Sequence, residues 1–266
     1  MPNNITNKVV LHGDEEQIQK LLEYVKYDDE EIGSVDFNKI IPMPESLNMT
    51  SGSVEHDAIN AYLSAVNPDN KGFTQVKKFD KDEFERIVNK INSHYYITKC
   101  KTNLEAGEIA DVLDRYGEIG DVMSLVKLGE RYVDNLQKYG ATTWYDFCIS
   151  TWGSKWNSYE PDDFYDNTLT FQTAWSRVMP IIQKLSEMFP DITMEYRWAD
   201  EDIGSNVGEA DFVAGECTRE YIPDSQSKEA YELAFDIQGE TAEDFGLQYF
   251  EESGTYEYVG FGQEME

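Results

Sequence analysis

Apolar residues recur along this chain in two periods, and the period changes with position. Lys8-Val9-Val10-Leu11-His12 is a β-branched run closed by Gly13, which predicts a strand and a turn. Asp14 stands where it can cap a helix, with Glu15 and Glu16 in the first turn. Ile18, Leu21, Leu22 and Val25 then follow at i, i+3, i+4, i+7 and give that helix one apolar face. Pro42 and Pro44 favour an extended path through 35–46 and exclude a helix there. Helical spacing returns over 54–66 and 82–91, and again from about 105 to 138, where Ile109, Val112, Leu113 and Tyr116 share a face. Gly117, Gly120 and Gly129 weaken that last stretch and predict two or three shorter helices.

After Gly140 the pattern turns aromatic and alternating. The run 144–152 is rich in strand formers and Thr168-Leu169-Thr170-Phe171 alternates, so both predict strands. Pro180 suits the first turn of a helix with Ile181, Ile182, Leu185, Met188 and Phe189 inward, stopped by Pro190. Ile192, Met194, Tyr196 and Trp198 alternate with polar residues as in a half-buried strand. Residues 207–222 suit a hairpin turning near Gly215. Residues 230–237 fit either period, and the helix is preferred.

No repeat or low-complexity linker interrupts the chain, and 68–72 and the neighbourhood of Gly140 are the boundary candidates. The order βα, helical insertion, ββαβ predicts an α+β fold of ferredoxin-like (split βαβ) type, an antiparallel sheet with helices on one face. Residues 1–45 and 141–200 form the expected core, 46–140 the mainly helical insertion and 201–266 an acidic C-terminal extension.

Composition narrows the function. With 40% hydrophobic residues, 17 Tyr, 13 Phe and 5 Trp, the chain can bury a core. The start has no signal-peptide pattern and no apolar run is long enough for a bilayer, so a cytoplasmic protein is expected and the sequons at Asn4 and Asn48 carry no weight. Cys100, Cys148 and Cys217 are scattered and odd in number, as in a reducing compartment. Neither they nor His12, His56 and His94 have metal-site spacing. The outlier is a net charge of −30, which repels nucleic acid and anionic membrane and attracts cationic protein surfaces. From Glu195 onward 20 acidic residues face only Arg197, Arg219 and Lys228, so this last quarter holds more than half the net charge. Solubility alone would explain that excess, and so would an anionic surface that imitates phosphates or docks in a basic groove.

Two segments stand out as binding candidates. In Trp152-Gly153-Ser154-Lys155-Trp156-Asn157, the tryptophans, Lys155 and Asn157 suit a recognition surface, or the rings suit the core with Lys155 outside. Asp200, Glu201, Asp202 and Asn206 gather oxygens at a strand end, although the segment lacks the EF-hand pattern and also reads as a solvated turn. The stretch 67–78 fails that pattern too, because Lys78 falls where a glutamate is required. No phosphate loop, nucleophile elbow or zinc signature occurs, and Gly260-Phe261-Gly262 is too short to count, so no catalytic residue, metal site or cofactor is assigned.

Several segments together resemble the YubB-like proteins of plasmids, phages and integrated elements. They are Met1-Pro2-Asn3 with Asn7, Asp36-Phe37-Asn38-Lys39-Ile40-Ile41-Pro42-Met43-Pro44, the segment 152–157, Phe171-Gln172-Thr173-Ala174-Trp175, and the strand running into Asp200-Glu201. The resemblance implies a ferredoxin-like C-terminal part and a mobile-element origin, and it brings no catalytic residues. The expected function is non-enzymatic. An acidic protein of a phage or mobile element would bind the basic surface of a host or defence protein, with inhibition by mimicry of nucleic-acid charge as one form. An enzyme or small-ligand protein with a pocket where 152–157 meets 200–206, and a self-associating protein charged only for solubility, are the alternatives.

Overall fold

The computed structural model describes residues 3–94, 97 and 99–259. Met1, Pro2 and Gly260-Phe261-Gly262, with the last two glutamates, lie outside the described residues. The chain divides into two compact units, Met1–Pro42 with Cys148–Glu266, and Met43–Phe147.

The first unit is built on strand β1 (Asn4–His12), followed by helix α1 (Glu15–Val25) and a single turn α2 (Phe37–Ile40). Asp14 occupies the cap of α1 with its backbone carbonyl alone, while Asp36 caps α2 by accepting from the Asn38 amide at 2.9 Å. After Trp152 come β2 (Thr168–Ala174), α8 (Met179–Met188), β3 (Thr193–Asp200), β4 (Gly208–Val213) and β5 (Glu216–Tyr221). The helix α9 (Lys228–Gln238) and the hairpin β6 (Leu247–Phe250) and β7 (Thr255–Tyr258) close the unit. The sheet order is β2-β1-β3-β4-β5, every neighbouring pair antiparallel. β2 and β3 therefore run parallel with β1 between them, and α8 joins them as the crossover of a split βαβ.

Three differences from the sequence reading have physical causes. The run 144–152 is not a strand: Trp144–Phe147 is a helical turn (α7) and Cys148–Trp152 a π-helical turn. Asp146 caps the start of α7, accepting from the Thr142 and Thr143 amides at 2.6 and 2.9 Å, which outweighs the strand propensity of the aromatics. The sheet does not stop at Asp200, because β4 and β5 extend it into the segment expected as an extension. Helices cover both faces: α8 packs where Tyr196 accepts from the Val178 amide at 2.9 Å, whereas Asp236 of α9 meets Arg197 on the opposite face at 2.6 Å.

Among the aliphatic and aromatic residues of the buried face lies Asn7, which is fully buried. Its amide donates to the carbonyl of Ile5 at 2.8 Å and the hydroxyl of Thr173 at 2.9 Å, and its carbonyl accepts from the Tyr196 phenol at 2.7 Å. Both polar side-chain atoms of Asn7 thus have partners, as burial demands.

In the second unit α3 (Ser53–Val66), α4 (Lys81–Asn92), α5 (Ala106–Leu113) and α6 (Val122–Tyr139) precede α7. The expected break occurs around Gly117 and Gly120, but Gly129 sits inside an unbroken α6. A Cβ there would lie 1.9 Å from the Ala58 carbonyl oxygen, so this glycine is what lets α6 touch the backbone of α3. The 68–72 stretch lies inside this unit, its turn tied down by Asn67 and Asn70 donating to the carbonyls of Thr102 and Leu104 at 2.8 and 3.1 Å.

Candidate functional site

Among the sequence candidates, the structure gives Trp152, Asn157 and Asp200 structural work. Trp152 is 2% exposed, packs edge-on against Phe37 and donates its indole N–H to the Ile41 carbonyl at 2.9 Å. Asn157 accepts from the Phe37 amide at 2.8 Å and donates to the Asp36 carboxylate at 2.7 Å. Ser158 donates to the Val35 carbonyl, and Tyr27 donates to the Ser158 carbonyl at 2.9 Å. The two most distinctive sequence segments, 36–44 and 152–157, thus meet in one joint that holds α2 in place. Burial pushes the Tyr27 phenol up, although the hydrogen bond to Ser158 opposes the shift. Trp156 and Lys155 stay partly exposed, with the ammonium 4.8 Å from the ring centre.

Asp200 is 6% exposed and also structural. Its carboxylate accepts from Asn3 at 3.0 Å, the Asp202 amide at 2.9 Å and Asn206 at 3.2 Å, which ties the β3–β4 loop to the start of β1. Glu201, Asp202 and Asn206 are exposed on that loop. The two candidate segments do approach one end of the sheet. Asn4 receives the Tyr159 hydroxyl at 2.6 Å and, on its carbonyl, the Glu201 amide at 2.9 Å. No cluster of metal-ligating residues occurs among the described residues.

The open features lie elsewhere in this unit. Strict alternation along β1 puts Lys8 on the face away from α8, directly opposite Arg197 of β3 and Thr170 of β2. There Lys8 and Arg197 line a cleft of about 350 Å³ together with Asp162, Asp163 and Asp166. Sequence reasoning did not single out this pairing, although the alternation it recognised in β3 implies the face of Arg197.

From Glu195 onward all three cations are spent on internal carboxylates. Arg197 meets Asp236 at 2.6 Å and Glu209 at 3.8 Å, Lys228 meets Glu232 at 3.6 Å, and Arg219 pairs with Glu209 and lies 3.7 Å from Asp211. The Glu209 carboxylate raises the Arg219 guanidinium above its ordinary value. Asp224, Glu229, Glu240, Glu251, Glu252 and Glu257 are exposed, and none has an ion-pair partner among the described residues. Beside them β5 ends the sheet with all six residues exposed, followed by Ile222 at 49% exposure.

Residues 151–241 match a family model described as the ferredoxin-like domain in Api92-like protein. Together with the split βαβ sheet this makes the domain ferredoxin-like, α+β with an antiparallel sheet. A solved structure of the protein Api92 from Yersinia pseudotuberculosis, described with the family model DUF1281, aligns over 84% of this chain and 99% of its own, at 10% identity and a TM-score of 0.37. No curated protein matches the chain. No helix among the described residues is long and apolar enough to cross a membrane.

Proposed function

We propose that this is a non-enzymatic, acidic interaction protein that binds a basic protein surface through the stretch 201–259. The observation that carries the reading is the way charge is spent there. Both cations of the stretch, Arg219 and Lys228, and Arg197 just before it are neutralised internally, while the exposed Asp224, Glu229, Glu240, Glu251, Glu252 and Glu257 are left without an ion-pair partner among the described residues. Such a surface attracts cations at long range and fixes an approaching partner's orientation. The open edge of β5 offers main-chain hydrogen bonds beside it, with Tyr221 and Ile222 as apolar contacts. The resemblance to YubB-like proteins extends the proposal to a cytoplasmic partner of a mobile element's host, including its defence proteins, with charge mimicry of nucleic acid as the mode of inhibition.

The pocket alternative at 152–157 loses its support once Trp152 and Asn157 are seen to hold α2. Two quadruple variants test the main reading by titration with a Lys/Arg-rich peptide at low and moderate salt. One carries Gln at Glu229, Glu240, Glu251 and Glu252, and the other Gln at Glu15 and Glu85 with Asn at Asp111 and Asp114. Both remove four charges, and all eight residues are exposed. The first should weaken binding about tenfold more than the second, and the difference should shrink with salt. Equal losses would reduce the acidity to solubility.

A further inference from the structure

We infer that the second unit carries a small-molecule site for an apolar α-amino acid, a ligand with one carboxylate, one ammonium and an apolar body. This goes beyond the proposed protein interaction and rests on different residues. The site is a cleft of about 600 Å³ between the 48–54 segment, the 116–119 loop and α6, large enough for such a ligand. Met49, Val54, Ile119 and Leu128 supply apolar wall, and the rings of Tyr116 and Tyr132 add aromatic surface.

The ligand class follows from which polar groups are already engaged. The Tyr132 hydroxyl donates to the Thr50 carbonyl at 2.7 Å, and the Tyr116 hydroxyl to the Asp57 carboxylate at 2.7 Å. Arg115 lies 3.7 Å from that same carboxylate. The Ser51 hydroxyl donates to Glu55 at 3.3 Å. Glu55 is itself 5% exposed and is met from behind by the Gly52 amide at 3.2 Å and the Thr142 hydroxyl.

Two charged groups on the lining are left over, Arg131 on α6 and Glu118 on the connecting loop. Both are exposed, and neither has an ion-pair partner among the described residues. One cation and one anion beside an apolar wall complement a zwitterion, and no single-charge ligand would use both. The Arg131 guanidinium receives the carboxylate through paired N–H donors, Glu118 receives the ammonium, and the side chain lies on Met49, Ile119 and Leu128.

The test titrates the full chain with L-phenylalanine and follows methyl and amide NMR shifts. Two analogues serve as controls: 3-phenylpropionate, which lacks the ammonium, and 2-phenylethylamine, which lacks the carboxylate. Shifts should cluster on Met49, Ile119, Leu128 and Arg131. L-Phenylalanine should bind at least about tenfold more tightly than either analogue, and Arg131→Gln and Glu118→Gln should each weaken it about tenfold. Both positions are exposed, so the variants should fold, and unchanged amide spectra away from the cleft would show it. Overturning results are an absence of cleft shifts at millimolar amino acid, equal binding of either analogue, or affinity indifferent to either substitution. The acidic-surface proposal is unaffected by any of them, because none of its residues is touched.

Discussion

A single missing methyl decides how the helical unit packs. α3 and α6 approach so closely at Gly129 that a Cβ would lie 1.9 Å from the carbonyl oxygen of Ala58 and 2.7 Å from Cβ of Tyr62. Neither contact is the flexible end of a side chain, so the helices must part. Gly129→Ala should cost about 1–3 kcal/mol or more in urea unfolding, as overpacking does. Gly107 in α5 is the internal control, with nothing within 4 Å of its Cβ position. There alanine should stabilise by roughly 0.5–1 kcal/mol through helix propensity and the stiffer unfolded chain. Equal effects at the two positions would refute close packing as the reason for Gly129. The sequence signals the same residue type at both positions; the sign of the substitution is set by what lies opposite.

At the scale of elements, the joint between 36–41 and 152–158 explains why those segments are distinctive. α2 is only four residues long, too short to persist by itself, and it is held from outside. Asn157 satisfies the Phe37 amide and the Asp36 carboxylate at once, while Trp152 closes over Phe37 and caps the Ile41 carbonyl. Asn157→Ala should therefore destabilise by about 1–3 kcal/mol, because it strands a main-chain donor and part of a carboxylate. Chemical denaturation measures it, and a loss within experimental error would sink the joint. The spacing of Trp152 and Asn157 was legible as unusual, but its role was not, since the partners lie more than a hundred residues away in sequence. The strand predicted over 144–152 failed for a local reason. Thr143-Trp144-Tyr145-Asp146 is a capping-box-like signal, and its hydrogen bonds prevail over the β preference of the aromatics between them.

For the whole molecule, burial of weak acids has a consequence at alkaline pH. Burial raises the Cys100 thiol from 9.0 to about 11 and the phenols of Tyr116 and Tyr132 from 10.0 to about 12. For these acids the folded state holds its proton more tightly than the unfolded chain. The stability they contribute is thus complete below pH 9 and lost as pH rises from about 9 to 12, where the unfolded state releases protons first. Thermal unfolding followed between pH 8 and about 11 should show the midpoint falling steadily, and a flat profile would contradict the burial of these groups.

Periodicity and punctuation alone determined much of this protein. The β1–α1 opening, α8 between Pro180 and Pro190, β3, and the hairpin turning at Ala214 and Gly215 all follow from local pattern, because an amphipathic face must find a core wherever that core lies. The excess of negative charge after Glu195 was equally plain, since charge is a sum over residues. Tertiary structure alone decided which side chains that sum leaves available. It spent Trp152, Asn157 and Asp200 on holding loops, engaged Arg197, Arg219 and Lys228 with carboxylates, and left Arg131 and Glu118 beside a cleft with no ion-pair partner among the described residues. Those outcomes depend on pairings between distant positions, which local pattern does not encode, because a side chain's function is set by which of its polar atoms the fold has already satisfied.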